Sequence, residues 1–364
     1  MSGHLLEVTD LAVSFDTYAG EVKAVRGVSF YLDGGETLAI VGESGCGKSV
    51  TVQTVMRLNP EPPARIAGGS ILYKGEELTG KTDKEMRAYR GKEFAMIFQD
   101  AMTSLNPVVR VGKQMVEAIR IHEKLSPEEA KKRAIEMLGK AGLSNPESVF
   151  RRYPHTMSGG QRQRVMIAMA LCCHPSILLA DEPTTALDVT TQAQILELMQ
   201  DIQRETGCGI ILITHNLGVV ARMAERVAVM YAGQMVEKGR LQDIFYHPKH
   251  PYTWGLLGSM PDMQERADSR LTAIPGSPPD LFAPPKGCGF AARCPYCMEL
   301  CLERDPGEYT VGEGHTARCW LLHPAAAACR PVPPAGRDAE LVTPEVKGYI
   351  EEYLAKEGGA ADGE

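Results

Sequence analysis

The stretch that decides the fold is Leu38-Ala39-Ile40-Val41-Gly42-Glu43-Ser44-Gly45-Cys46-Gly47-Lys48-Ser49. Its first four residues read as a short buried strand. The next eight fit the pattern Gly, four residues, Gly-Lys-Ser. Ser49 to Leu58 then reads as a helix. Each residue type has a physical reason. Glycines let the backbone curl, so that several N–H groups of Gly42, Ser44, Gly45, Cys46, Gly47 and the following residues converge on one phosphate group. The helix that follows, entered through Ser49 and Val50, adds its positive N-terminal end. Lys48 is placed to reach the β- and γ-phosphates, and the Ser49 hydroxyl to bind Mg2+.

Working outward, Ile177-Leu178-Leu179-Ala180 is a second apolar strand, and it delivers Asp181 and Glu182 at its end. Paired with a phosphate loop, Asp181 is the expected Mg2+ ligand and Glu182 the general base for an attacking water. Phe94 to Phe98, Gly209 to Thr214 and Arg226 to Tyr231 are further strand candidates. Pro127 to Ala141, Gly160 to Cys172 and Thr190 to Glu205 read as helices. Ser126-Pro127-Glu128-Glu129 is a helix start, with a cap, a first-turn proline and acids at the positive end. The alternation predicts an α/β fold with a largely parallel sheet.

The whole chain has 364 residues, 39 Lys+Arg against 46 Asp+Glu, a net charge of −7 and 44% apolar residues. That is ample for about two domains and excludes wholesale disorder. The acidic balance gives no reason to expect nucleic acid as a partner. No apolar run approaches the roughly 18 residues of a membrane span. The N-terminus, Met1 to Asp10, has no signal-peptide pattern. A cytoplasmic chain is the expectation.

Between the two acidic and phosphate motifs lies Met157-Ser158-Gly159-Gly160-Gln161-Arg162-Gln163-Arg164. It resembles the signature motif of ATP-binding cassette (ABC) ATPases. Gln99, after the strand Phe94 to Phe98, is similar to that family's Q-loop glutamine. Ala186-Leu187-Asp188 resembles the D-loop, and His215 the switch histidine. Tyr18 is the expected adenine-stacking aromatic, with Phe15 the second choice. The resemblance covers about residues 5–245 and implies a P-loop ABC ATPase domain (1–245) with a helical subdomain at about 100–174. It implies ATP and Mg2+ as ligands, with Gln99 joining Ser49 and Asp181 at the metal. Glu182, His215 and Gln99 are then the catalytic residues. Ser158, Gly159, Gly160, Gln161 and Asp188 serve the ATP of a second cassette in a head-to-tail pair. Met157 stands where the family usually has Leu, a conservative apolar exchange.

Three stretches resemble the dipeptide/oligopeptide importers in particular: Gly42 to Gly45, Asp181 to Thr190, and His247-Pro248 with His250-Pro251-Tyr252-Thr253. That branch also includes nickel-type importers. The resemblance implies an ATPase subunit powering uptake of peptides, or else of nickel or another solute such as an oligosaccharide. Implied partners are a second, related ATPase chain, two membrane permeases and, indirectly, an extracytoplasmic solute-binding protein. Contact with the permeases is expected near Gln99 and Asp100 to Arg110, on the cytoplasmic face of the membrane. A soluble, non-transport ABC ATPase is the reading from another class. It would call for two cassettes or a long coiled coil, and neither is present.

After about residue 246, prolines become frequent and helical or strand periodicity fades. Residues 246–330 read as a small, loop-rich metal-binding extension. Residues 331–364 read as a linker, a short helix at Glu340 to Lys356 and a flexible tail. Five of the ten cysteines, Cys288, Cys294, Cys297, Cys301 and Cys319, lie close together here, which in a cytosolic chain suggests metal or redox chemistry rather than a disulfide framework. Cys288, Cys294, Cys301 and Cys319 have the spacing of the family extension, and the resemblance implies a [4Fe–4S] cluster on them. By softness alone four thiolates suit iron–sulfur or Zn2+ equally. Cys294 and Cys297 also form a Cys-x-x-Cys pair, which favours zinc by pattern.

Overall fold

The computed structural model describes residues 3–99, 104–185, 187–259 and 274–329. Part of the expected permease-facing segment (100–103), Ala186 of the D-loop, the linker after 330 and the expected helix at 340–356 lie outside the described residues.

The strands are β1 (Leu6–Thr17), β2 (Gly20–Leu32), β3 (Thr37–Val41), β4 (Ala64–Tyr73), β5 (Glu76–Glu77), β6 (Phe94–Ile97) and β7 (Ile177–Asp181). They continue with β8 (Gly209–Ile213), β9 (Arg226–Tyr231), β10 (Gln234–Arg240), β11 (Tyr309–Gly312) and β12 (His315–Ala317). An antiparallel sheet runs β2-β1-β4-β5, and a larger one runs β11-β12-β10-β9-β3-β8-β7-β6. In the larger sheet β9, β3, β8, β7 and β6 are parallel. Every residue of β3, β7 and β8 is buried. This is why they read as unbroken apolar runs rather than alternating ones.

Parallel strands put all their C-terminal ends on one edge, and ligands bind at that edge in open α/β sheets. Here that edge carries the loop after β3, Asp181 at the end of β7, His215 two residues past β8 and Gln99 two residues past β6.

The helices are α1 (Lys48–Val55), α2 (Asp83–Met86), α3 (Val111–His122), α4 (Pro127–Lys140), α5 (Pro146–Arg151) and α6 (Gly159–Leu171). After these come α7 (Val189–Thr206), α8 (Leu217–Met223), α9 (Leu241–Tyr246), α10 (Pro251–Gly258) and α11 (Glu299–Glu303). The start of α4 is as the sequence suggests: the Ser126 hydroxyl accepts from Glu129 N–H, and the Glu129 carboxylate accepts from Ser126 N–H. Helices α3 to α6 pack together around Val111, Met115, Ile119, Leu138 and Val165, and that core continues beneath β6 to β8. A second core fills the space between the antiparallel sheet and the other face of the large one.

The C-terminal part differs from a loop-rich appendage. Its strand β12 pairs with β10, and β11 pairs with β12, so the large sheet runs into it. Phe290 joins Tyr231, Phe245 and Tyr252 in a third apolar core. A fully buried carboxylate, Glu237 on β10, holds the join. It accepts from His315 Nε2 at 2.8 Å, Lys249 N–H at 2.6 Å and His250 N–H at 3.0 Å.

Candidate active site

The loop from Gly42 to Gly47 is wedged between strands. A Cβ on Gly47 (φ 103°) would lie 2.5 Å from the carbonyl oxygen of Ala24 on β2. Only glycine fits there. Lys48, 6% exposed, donates from Nζ to the carbonyls of Gly42 (2.7 Å) and Glu43 (2.9 Å). The ammonium is thus held inside the curl of its own loop. Cys46 is buried in the same loop, and burial pushes its thiol pKa up.

Three residues far apart in sequence meet at the end of β7. Glu182 Oε2 accepts from Gln99 Nε2 at 3.0 Å and from Thr185 Oγ1 at 2.9 Å. Glu182 Oε1 lies 3.1 Å from His215 Nδ1. The Glu182 backbone is in the left-handed region (φ 47°), a strained setting for a side chain and typical of functional turns. Burial alone would raise the Glu182 carboxyl, but the bonds from His215 and Thr185 outweigh it and leave the group below the usual range. A carboxylate kept ionised between an amide and an imidazole can accept a proton from water.

Asp181 sits one residue earlier, and burial raises its carboxyl, with the Ser49 hydroxyl pulling the other way. Its Oδ1 is buried without a hydrogen-bond partner. An orphaned buried carboxylate oxygen beside Ser49 is a donor set suited to Mg2+.

The signature residues occupy a helix start. Ser158 caps α6: its hydroxyl accepts from Gln161 N–H at 3.3 Å, and Gln161 Oε1 accepts from Ser158 N–H at 3.3 Å. The helix begins at Gly159, one residue earlier than the periodicity suggests. A Cβ on Gly160 would sit 3.0 Å from Thr191 Cγ2, so α6 and α7 approach closely there. Asp188 caps α7 by accepting from Thr191 N–H at 2.9 Å. Gln163 donates from Nε2 to the carbonyl of Pro183, tying α6 to the turn after Glu182. Tyr18 stands fully exposed in the β1–β2 turn, whereas Phe15 packs against the second core.

A family model described as ABC transporter matches residues 25–185. The oligopeptide transport ATP-binding protein OppD of Bacillus subtilis is 58% identical over 90% of this chain and 91% of its own length. This chain belongs to the ABC transporter ATP-binding family. A second model, the C-terminal region of oligopeptide/dipeptide transporters, matches residues 236–301. The dipeptide transport ATP-binding protein DppD of the same bacterium is 57% identical over 87% of this chain and 94% of its own. Among solved structures, a dimeric ATP-binding cassette in a post-hydrolysis state with ADP and Pi superposes with a TM-score of 0.59. It is 28% identical and covers 65% of this chain and 98% of its own. As a family member the chain is an ATP-hydrolysing enzyme, with the P-loop α/β fold the sequence predicts. No helix among the described residues is long and apolar enough to cross a membrane.

In this ABC ATPase the metal site expected on the cysteines is not borne out. Cys288, Cys294, Cys301 and Cys319 line one small cavity with His250, Phe290 and Trp320. Burial pushes Cys288 up to about 11, and Cys294 and Cys319 up to about 12. Yet among the described residues no group of three or more His, Cys, Asp or Glu side chains is arranged to hold a metal ion. The extension is joined to the domain by its strands and apolar core. Cys297 is exposed and does not line the cavity. Cys172, Cys173 and Cys208 are buried in the first core.

Proposed function

We propose that this chain is the ATP-hydrolysing subunit of a peptide importer, with residues 1–245 as its ATPase domain and 246–330 as its extension. The observation that carries the hydrolysis is the bracketing of Glu182 by Gln99 and His215 on the sheet edge that holds the phosphate loop. The peptide reading is supported by relatives whose names are oligopeptide and dipeptide transport ATP-binding proteins.

In the proposed reaction the loop amides and Lys48 bind the β- and γ-phosphates. Ser49 and Asp181, joined by Gln99, would hold Mg2+. The metal supplies neutralising charge at the phosphates. Glu182 takes the proton of the attacking water, and His215 orients that carboxylate and the γ-phosphate. Tyr18, exposed at a turn, stacks on adenine.

The signature residues Ser158, Gly159, Gly160 and Gln161 offer a helix N-terminus to the ATP of a partner cassette, with Asp188 beside them. Support comes from the exposed Val189 at that surface and from the dimeric arrangement of the similar cassette. The partner is a second, related ATPase chain. Two permeases receive the stroke near Gln99 and the segment that follows, where Val108 is 77% exposed. A solute-binding protein delivers the peptide on the far side, and this chain sits peripherally on the cytoplasmic face of the membrane.

For the extension, the reading is a [4Fe–4S] cluster on Cys288, Cys294, Cys301 and Cys319. What supports it is that the four thiols line one cavity, with His250, Phe290 and Trp320, and that thiolates are soft ligands suited to such a cluster. Iron and acid-labile sulfide in an anaerobic preparation are expected; stoichiometric zinc instead would overturn this part.

Deleting the chain tests the peptide reading. Uptake of a labelled di- or tripeptide should collapse. Unchanged peptide uptake with lost nickel uptake would contradict it.

A further inference from the structure

The C-terminal extension grips the phosphate loop at one residue, Glu43. Glu43 N–H donates to Tyr252 Oη at 2.8 Å. The Glu43 carboxylate takes both arms of a guanidinium: Arg293 Nη1 to Oε2 at 2.7 Å and Nη2 to Oε1 at 3.0 Å. Arg293 is itself fixed. It donates from Nε to the Pro275 carbonyl (2.8 Å), from Nη2 to the Ile274 carbonyl (3.2 Å) and from Nη1 to Tyr231 Oη (3.2 Å). It is only 9% exposed. Beneath it, Tyr231, Tyr252 and Phe290 form a triangle of rings with centroids 4.5 to 5.4 Å apart.

A carboxylate is an awkward residue in a loop built to bind phosphate anions, because like charges repel and the helix dipole and Lys48 are offset by it. The geometry points to Arg293 as a positioning residue for nucleotide binding: it cancels the charge that Glu43 would otherwise set against the phosphates. The inference rests on the reading of this loop as the ATP site. It also makes the extension part of that site, since Arg293 directly precedes Cys294 and Phe290 lies two residues past Cys288. A bidentate fork is what arginine supplies and lysine does not.

The test is equilibrium binding of the non-hydrolysable analogue AMP-PNP with magnesium, by titration calorimetry on the full chain. Thermal melts without nucleotide accompany it. Arg293→Ala should weaken binding about tenfold. Glu43→Gln alone supplies the reference for a loop without that charge. The double variant should stay within about threefold of Glu43→Gln, because Arg293 loses its task once its partner is neutral. If Arg293→Ala does not fold, Arg293→Gln, whose amide ends near the Nε that bonds the Pro275 carbonyl, removes the charge with less loss of packing and carries the same expectation. Binding by the Arg293 variant within twofold of wild type overturns the assignment. So does a loss that persists undiminished in the Glu43→Gln background. Wild type that binds no analogue, like a Lys48→Ala control, overturns the ATP-site reading itself and the inference with it.

Discussion

His215 Nδ1 lies 3.1 Å from Glu182 Oε1, and this bond is the main force holding the Glu182 carboxyl below its usual range against the effect of burial. As the proposed base, Glu182 can act only when ionised, so hydrolysis should fall as pH drops through its pKa. His215→Ala removes the bond and lets burial raise that pKa. The acid limb of the kcat–pH profile should therefore move to higher pH, with a fall in kcat of about 10²-fold at neutral pH. An unmoved acid limb would mean that the limb reports another group.

Glu182→Gln keeps the size of the side chain and its contact with Thr185, but cannot take a proton. Turnover should fall by about 10²- to 10⁴-fold while nucleotide binding persists. Size-exclusion chromatography with light scattering should then show an ATP-dependent dimer that wild type holds only transiently. Turnover at the wild-type rate would remove Glu182 from the role of base.

Ser158 is a helix cap as well as a signature residue. Ser158→Ala should cost about 1 kcal/mol in chemical denaturation, the usual value of a lost N-cap. A much larger effect on ATP hydrolysis than on stability is expected, because the hydroxyl also serves the partner's nucleotide in the proposed dimer. Equal and small effects on both would leave Ser158 as a cap alone.

Glu237 and His315 join the extension to the sheet, both nearly without solvent contact. His315→Ala leaves a buried carboxylate short of one partner and should destabilise the chain by about 2–3 kcal/mol. Pairing it with Glu237→Gln should recover part of that loss. Denaturant titration of the single and double variants decides the point.

Much of the site was legible in the sequence because its chemistry is local. The loop Gly42 to Ser49 needs its glycines and lysine at fixed spacing, and strand-ending acids such as Asp181 and Glu182 follow an apolar run. Gln99 and His215 were assigned through the resemblance to ABC ATPase motifs, and the shared edge of the parallel strands is what brings them to Glu182. The joining of the extension was not legible. β11 and β12 are only four and three residues long, too short for alternation to register. The contact of Arg293 with Glu43 spans 250 positions, and nothing in either local sequence announces it. His315 likewise reads as an isolated histidine until the sheet brings it to Glu237.

Coupling of ATP hydrolysis to peptide import is the function proposed for this chain. Its most direct test is the ATPase rate of the complete transporter in proteoliposomes, with the solute-binding protein present and peptide varied. Magnesium-dependent hydrolysis should rise several-fold with peptide-loaded binding protein and disappear in Glu182→Gln. Hydrolysis indifferent to peptide, in a complex that still binds it, would show that this chain does not couple ATP to peptide import.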